Sequence, residues 1–168
     1  MKKVMFLVMP MLALFFASCG GSSFNTVEKL VFPVTVDYSK SIEQYLREGE
    51  CDYVDENISS TTLANDTKDT VISLEAVLVI FNRSMISEDV VAQLKLHGFR
   101  PGTARELYAL GARYPRLQRG ISIIALGSVT ADSHVPVLVE FVHGGRDACL
   151  WPWSRGWNSE YWFLAFRD

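Results

Sequence analysis

Lys2 and Lys3, the apolar run from Val4 to Phe16, and the small residues Ala17 and Ser18 before Cys19 decide how much of this chain is left to fold. A positive start, an apolar stretch too short to span a bilayer comfortably, and small residues before a cysteine form the pattern of a secretory signal cut just before Cys19. The expectation is removal of residues 1–18, which leaves 150 residues. That length suits one domain with a proper core. The remaining chain contains no second apolar run long enough for a transmembrane helix.

The ending Ala17, Ser18, Cys19, with Phe16 where Leu is usual, resembles the lipobox of bacterial lipoproteins. The resemblance implies that the Cys19 thiol receives a diacylglycerol and becomes the mature N-terminus, with palmitate-class chains as membrane anchor. It also implies an extracytoplasmic place in the cell envelope; a plain secretory signal or an uncleaved anchor, with Cys19 there by chance, is the other reading. Three cysteines leave an odd thiol in an exported protein, but acylation of Cys19 would leave Cys51 and Cys149 as a pair that could form a disulfide. Two separate buried thiols are the alternative.

Charge narrows the partners. Without Lys2 and Lys3, fourteen basic residues face nineteen acidic ones, so nucleic acid is excluded as an expected partner. Residues 19–80 hold four basic and eleven acidic side chains, and residues 81–168 hold ten and eight. An anionic or polar ligand would find its donors in the later half.

Residues 19–27, rich in Gly and Ser, read as a flexible tether ahead of a single domain over 28–168. Leu30 to Val36 reads as a strand, with Pro33 favouring an edge. Ser39 or Ser41 caps a short helix that buries Ile42, Tyr45 and Leu46 and stops at Gly49. Residues 55–69 read as a polar surface loop. Val71 to Phe81 is the clearest strand, since Ile72, Leu74, Ala76, Leu78 and Ile80 form one apolar face in alternation. Ser87 is expected to cap the next helix, which carries Val90, Val91 and Leu94 inward and ends at His97 and Gly98. Thr103 and Glu106 form a capping box before a helix burying Ala104, Leu107 and Tyr108. Beyond Gly120 the chain reads as β: 121–126, 135–142, 148–153 and 161–166. Strands, two consecutive helices and strands again predict an α+β domain.

Residues 143–162 hold all four tryptophans together with Arg146, Asp147, Arg155, Asn158 and Tyr161. Trp and Tyr supply large rigid contact area with a polar handle, and Arg adds planar donors, so the mixture suits a recognition surface. The expected binding residues are Arg146, Asp147, Trp151, Trp153, Arg155, Trp157, Asn158 and Tyr161. Trp162, and with it Trp151, could instead be core. Trp153, Arg155, Trp157 and Asn158, set among Gly, Pro and Ser, read as loop.

The order of helix, Gly98-Phe99-Arg100-Pro101, capped helix with Glu106-Leu107, Trp-rich loops and a closing strand from Tyr161 to Arg167 resembles the C-type-lectin-like fold. It is nearest the branch of formylglycine-generating enzymes and retroelement variable proteins. Residues 100–107 loosely match that branch's R-L-P-T-x-x-E-W motif, without the Leu and the Trp. The layout, with Val34 to Ser41 and Phe81 to Arg83, also resembles a group of small bacterial proteins with no assigned activity. The resemblance implies two consecutive helices packed on a small, mostly antiparallel sheet. It carries no chemistry: the copper-binding cysteine pair of the sulfatase-modifying enzymes is represented only by Cys149, and Trp157-Asn158-Ser159 lacks the carboxylate of a calcium-type lectin motif.

No cofactor or metal is implied, since His97, His134 and His143 lack ligand spacing. No phosphate loop, dinucleotide fingerprint or nucleophile elbow occurs. The expected function is a non-enzymatic, lipid-anchored binding module whose Trp- and Arg-rich C-terminal surface recognises a protein or a glycan. The alternatives are an enzyme of the sulfatase-modifying branch, with a cavity lined by His143, Arg146 and Cys149, and a structural protein of envelope assembly.

Overall fold

A computed structural model describes residues 28–63, 70–141 and 144–168. The signal, Cys19, the tether and His143 lie outside the described residues. The chain runs β1 (Glu28–Asp37), α1 (Ile42–Glu48), β2 (Tyr53–Val54), α2 (Ser60–Leu63), β3 (Val71–Ile80), α3 (Ser87–Leu96), β4 (Phe99–Pro101), α4 (Ala104–Arg113), β5 (Ser122–Ile124), β6 (His134–Glu140), β7 (Arg146–Pro152) and β8 (Tyr161–Arg167). All eight strands join one sheet in the order β1-β3-β8-β5-β6-β7-β2, with β4 added alongside β8. β5 lies parallel to β8 and β2 parallel to β7, whereas the other pairings are antiparallel.

This architecture overturns the C-type-lectin-like expectation. Among the described residues four helices are dispersed among the strands, and the sheet is large and mixed rather than small and antiparallel. The two helices expected to pack as a pair cover opposite faces. Gly98 adopts a left-handed φ of 74°, which turns the chain out of α3 into β4. α3 then buries Val90 and Leu94 with Phe99, Trp157 and Phe163, whereas α4 buries Ala104, Leu107 and Leu110 beside α1. The segment 100–107 therefore shares with the lectin-like motif only the chemistry of starting a helix.

Both faces of the sheet are covered, which explains where the alternation in β3 misleads. Ala76 and Leu78 enter the core under α1 and α4, as their period predicts. Val77 and Val79, on the opposite side of the pleat, are buried in a second core under α3. Residues 55–63 are not a plain surface loop: α2 lies within them and buries Leu63, with Ile58 also inside. The polar run hid a single turn of helix whose inward anchors are two residues.

The helix starts follow local chemistry in two cases of three. Ser41 and Gln44 form a reciprocal capping box on α1, and Thr103 and Glu106 do the same on α4. Ser87 is not a cap. Ile86 occupies that position with no side-chain bond, and Ser87 is fully buried because its hydroxyl is engaged elsewhere. Glu106 serves twice: besides capping, it accepts from the Tyr38 hydroxyl at 2.8 Å and from both terminal nitrogens of Arg100 at 2.6 and 3.0 Å. Burial pushes this carboxyl up, but Arg100, the Thr103 amide and Tyr38 outweigh it and hold it below its ordinary value. The ion pair thus ties Arg100 of β4 to the first turn of α4.

β1 is an edge strand, as Pro33 predicts. Tyr38 N–H donates to the Thr70 carbonyl, so the even residues face β3 and the odd ones face outward. Pro33 has no N–H to leave open, and its carbonyl accepts from the Tyr114 hydroxyl at 2.8 Å. The Tyr45 hydroxyl both accepts from Asp37 N–H and donates to the Asp37 carbonyl. Two tyrosines and a proline blunt this edge against strand addition.

Candidate functional site

The Trp-rich segment does not form one surface. β7 and β8 place its side chains in four environments, because alternation along β7 sends even and odd residues to opposite faces. Arg146 turns away from solvent into the connection between α1 and β2. Its guanidinium donates to the Gly49 carbonyl at 3.0 Å and to the Glu50 carbonyl, while its backbone N–H donates to Asp52 at 2.8 Å. Arg146 therefore fastens β2 to the sheet. Asp147 sits beside it, its carboxyl raised by burial and by Asp52. Both residues thus stand at the α1–β2 connection, and neither lines the cleft described below.

Trp157, read from the sequence as a loop residue, is 1% exposed and stands in the core under α3. Its backbone pairs with Met85 in both directions, at 2.8 and 2.9 Å, and its indole N–H donates to Ser87 Oγ at 2.8 Å. The Ser87 hydroxyl in turn donates to the Trp153 carbonyl at 2.6 Å. Trp153 is half-buried and donates its indole N–H to Glu88, which holds that carboxyl below its ordinary value. The loop between β7 and β8 is thus latched to the start of α3. Trp162 belongs to the other core. Asn158 is exposed, but its side chain accepts from Glu160 N–H at 2.9 Å and shapes the turn into β8.

Three of the expected residues do converge. Trp151 and Tyr161 meet edge to face at 5.6 Å between ring centroids, with Trp157 stacked behind Trp151 at 6.3 Å. The Arg155 guanidinium lies 4.4 Å from the Trp151 ring and donates to the Tyr161 hydroxyl at 3.0 Å. These residues line a cleft of about 570 Å³ together with Gln118, Ser122, Glu140 and Glu160.

The cleft exists because the sheet parts here. β5 is only three residues long and pairs with β6 at Ile123 and Ile124 alone, whereas β6 runs on to Glu140 beside β7. Where the ladder has ended, the buried Gln118 side chain donates to the Val139 carbonyl at 3.2 Å in place of a strand N–H. Gln118, Ser122, Glu140 and Glu160 were missed by sequence reasoning. Glu160 lies inside the Trp-rich run and could have been included, but nothing local marks Gln118 or Glu140.

No disulfide is formed among the described residues. Cys51 and Cys149 are both free, and Cys149 packs in the core under α3 while Cys51 packs against the other. Burial pushes Cys149 up to about 11, helped by Asp147, Asp55 and Cys51; burial also raises Cys51 against the pull of Arg146. Of the cavity expected from His143, Arg146 and Cys149, His143 lies outside the described residues, and Arg146 and Cys149, three apart on β7, face opposite ways. Scans of family models, curated proteins and solved structures return no match to this chain.

Proposed function

We propose that this chain is a lipid-anchored, extracytoplasmic binding module that takes a glycan in the cleft bounded by Trp151, Arg155 and Tyr161. The observation that carries the reading is the convergence of those three side chains with Gln118, Glu140 and Glu160 where β5 ends beside β6. A volume of about 570 Å³ falls in the range of small-ligand sites. Its lining mixes aromatic faces, two carboxylates, one guanidinium and an amide, which offers both acceptors and donors to a polyhydroxylated ligand.

A glycan is favoured over a protein partner because the wall is concave and polar, and the aromatic faces are partly covered by Arg155 and by one another. The anchor reading rests on the sequence around Cys19. Binding is tested by calorimetry of the processed protein against envelope oligosaccharides, with Tyr161→Ala and Arg155→Ala as variants. Loss of affinity in both variants supports the cleft. Unchanged affinity in both overturns it. Metabolic palmitate labelling of the wild type and of Cys19→Ser tests the anchor independently.

A further inference from the structure

We infer that Arg155 makes the cleft selective for a glycan that carries a carboxylate, so that the ligand class is an acidic sugar such as a uronic acid; this rests on the cleft being the binding site. Arg155 is exposed and belongs to a loop, where a long side chain would ordinarily sample many rotamers. Here it is fixed from two directions. Its guanidinium carbon lies over the Trp151 ring at 4.4 Å from the centroid and 5.7 Å from the Tyr161 centroid, and the Tyr161 hydroxyl accepts one N–H at 3.0 Å.

That one bond uses a single donor of five. Glu140 and Glu160 line the same cleft, yet among the described residues Arg155 has no carboxylate within ion-pair distance. The chain has preorganised a planar cation and left its fork open, which is the geometry a carboxylate reads bidentately. Lysine could not be held this way, because stacking requires the flat guanidinium. The two glutamates set the other limit. They leave Arg155 as the one cationic side chain among the described residues of the lining, so a ligand carboxylate has a single place to dock. They also supply acceptors for the hydroxyls of the same sugar.

The test compares galacturonate and glucuronate trimers with the neutral galactose and glucose trimers, by calorimetry on the wild type, Arg155→Gln and Arg155→Lys. The expected preference of the wild type for the acidic trimers is about tenfold to a hundredfold, the worth of a charge-assisted hydrogen-bond pair. It shrinks with added salt because the site is open to solvent. In Arg155→Gln the ratio falls to about one, and Arg155→Lys recovers only part of it. Near-UV circular dichroism, dominated by the four tryptophans, reports whether each variant is folded. Equal binding of acidic and neutral trimers by the wild type, or a preference that survives Arg155→Gln, overturns this inference and leaves the cleft standing. Failure of every trimer to bind overturns both.

Discussion

Replacing Tyr108 with phenylalanine should stabilise this protein, although it removes atoms from the middle of the core. Tyr108 lies on α4, is 1% exposed, and its hydroxyl has no hydrogen-bond partner among the described residues. The space around it, bounded by Tyr45, Leu46, Gly49, Cys51, Gly111, Ala112 and Leu138, is too small to admit a water molecule. Burial also drives its phenol well above the ordinary tyrosine range, with smaller contributions from Cys51, Cys149 and Asp55, so the group stays neutral. A buried hydroxyl that has given up water and gained nothing costs about 1–3 kcal/mol. The void left by one oxygen, about 10 Å³, costs only about 0.2 kcal/mol at roughly 24 cal/mol per Å³. The net expectation is a gain of about 1–2.5 kcal/mol. For a domain of this size that raises Tm by several degrees, at about 2–8 °C per kcal/mol. Urea and thermal unfolding of wild type and Tyr108→Phe measure it directly. Tyr108→Ala provides the contrast and should lose about 3–5 kcal/mol through its cavity. A Tyr108→Phe protein less stable than wild type would refute the reasoning, because it would mean that the hydroxyl is satisfied.

Three further outcomes are expected. Trp157→Ala should lose about 3–5 kcal/mol of stability in denaturant titrations, by deleting a core ring rather than a ligand contact. Glu106→Gln should cost less than the ~3–5 kcal/mol of breaking a fully buried pair, since Arg100 keeps 36% exposure and can rehydrate. The same carboxyl sets a pH dependence. Its folded pKa lies below the unfolded 4.5, so its stabilisation is complete above that value and is lost as pH falls beneath it. A Tm profile of Glu106→Gln that is as steep below pH 4.5 as wild type would contradict that assignment. Arg146→Ala should free residues 49–55, seen as faster amide hydrogen exchange there with the rest of the sheet unchanged.

Most strand and helix positions were legible because their signals are local. The alternation in β3, the Ser41 and Thr103 caps, the stop at Gly98 and the edge bias of Pro33 each depend on a few neighbouring residues. Burial on both faces of β3 was not legible, since Val77 and Val79 look like any outward valines until α3 and the β7–β8 loop are placed over them. Ser87 shows the same limit. A serine ahead of a helix reads as a cap, and only the arrival of Trp157 from seventy residues away assigns its hydroxyl elsewhere. Gly127 is a further case: a Cβ there would stand 2.6 Å from the Gly102 carbonyl, a closeness that exists only because β4 and the chain after β5 meet in space.

The sequence alone determined the longer strands and helices, the deficit of positive charge and the gathering of aromatic and arginine side chains in one stretch, because composition and short periodicity are properties of neighbours along the chain. It could not determine which of those aromatics face water. Strand parity, the shortness of β5 and the latch on α3 sent Trp157 inward, turned Arg146 into a fastener and left Trp151, Arg155 and Tyr161 beside an opening. Only tertiary structure decides this, because exposure belongs to the packing of elements distant in sequence, and one-residue alternation carries adjacent side chains to opposite sides of the sheet.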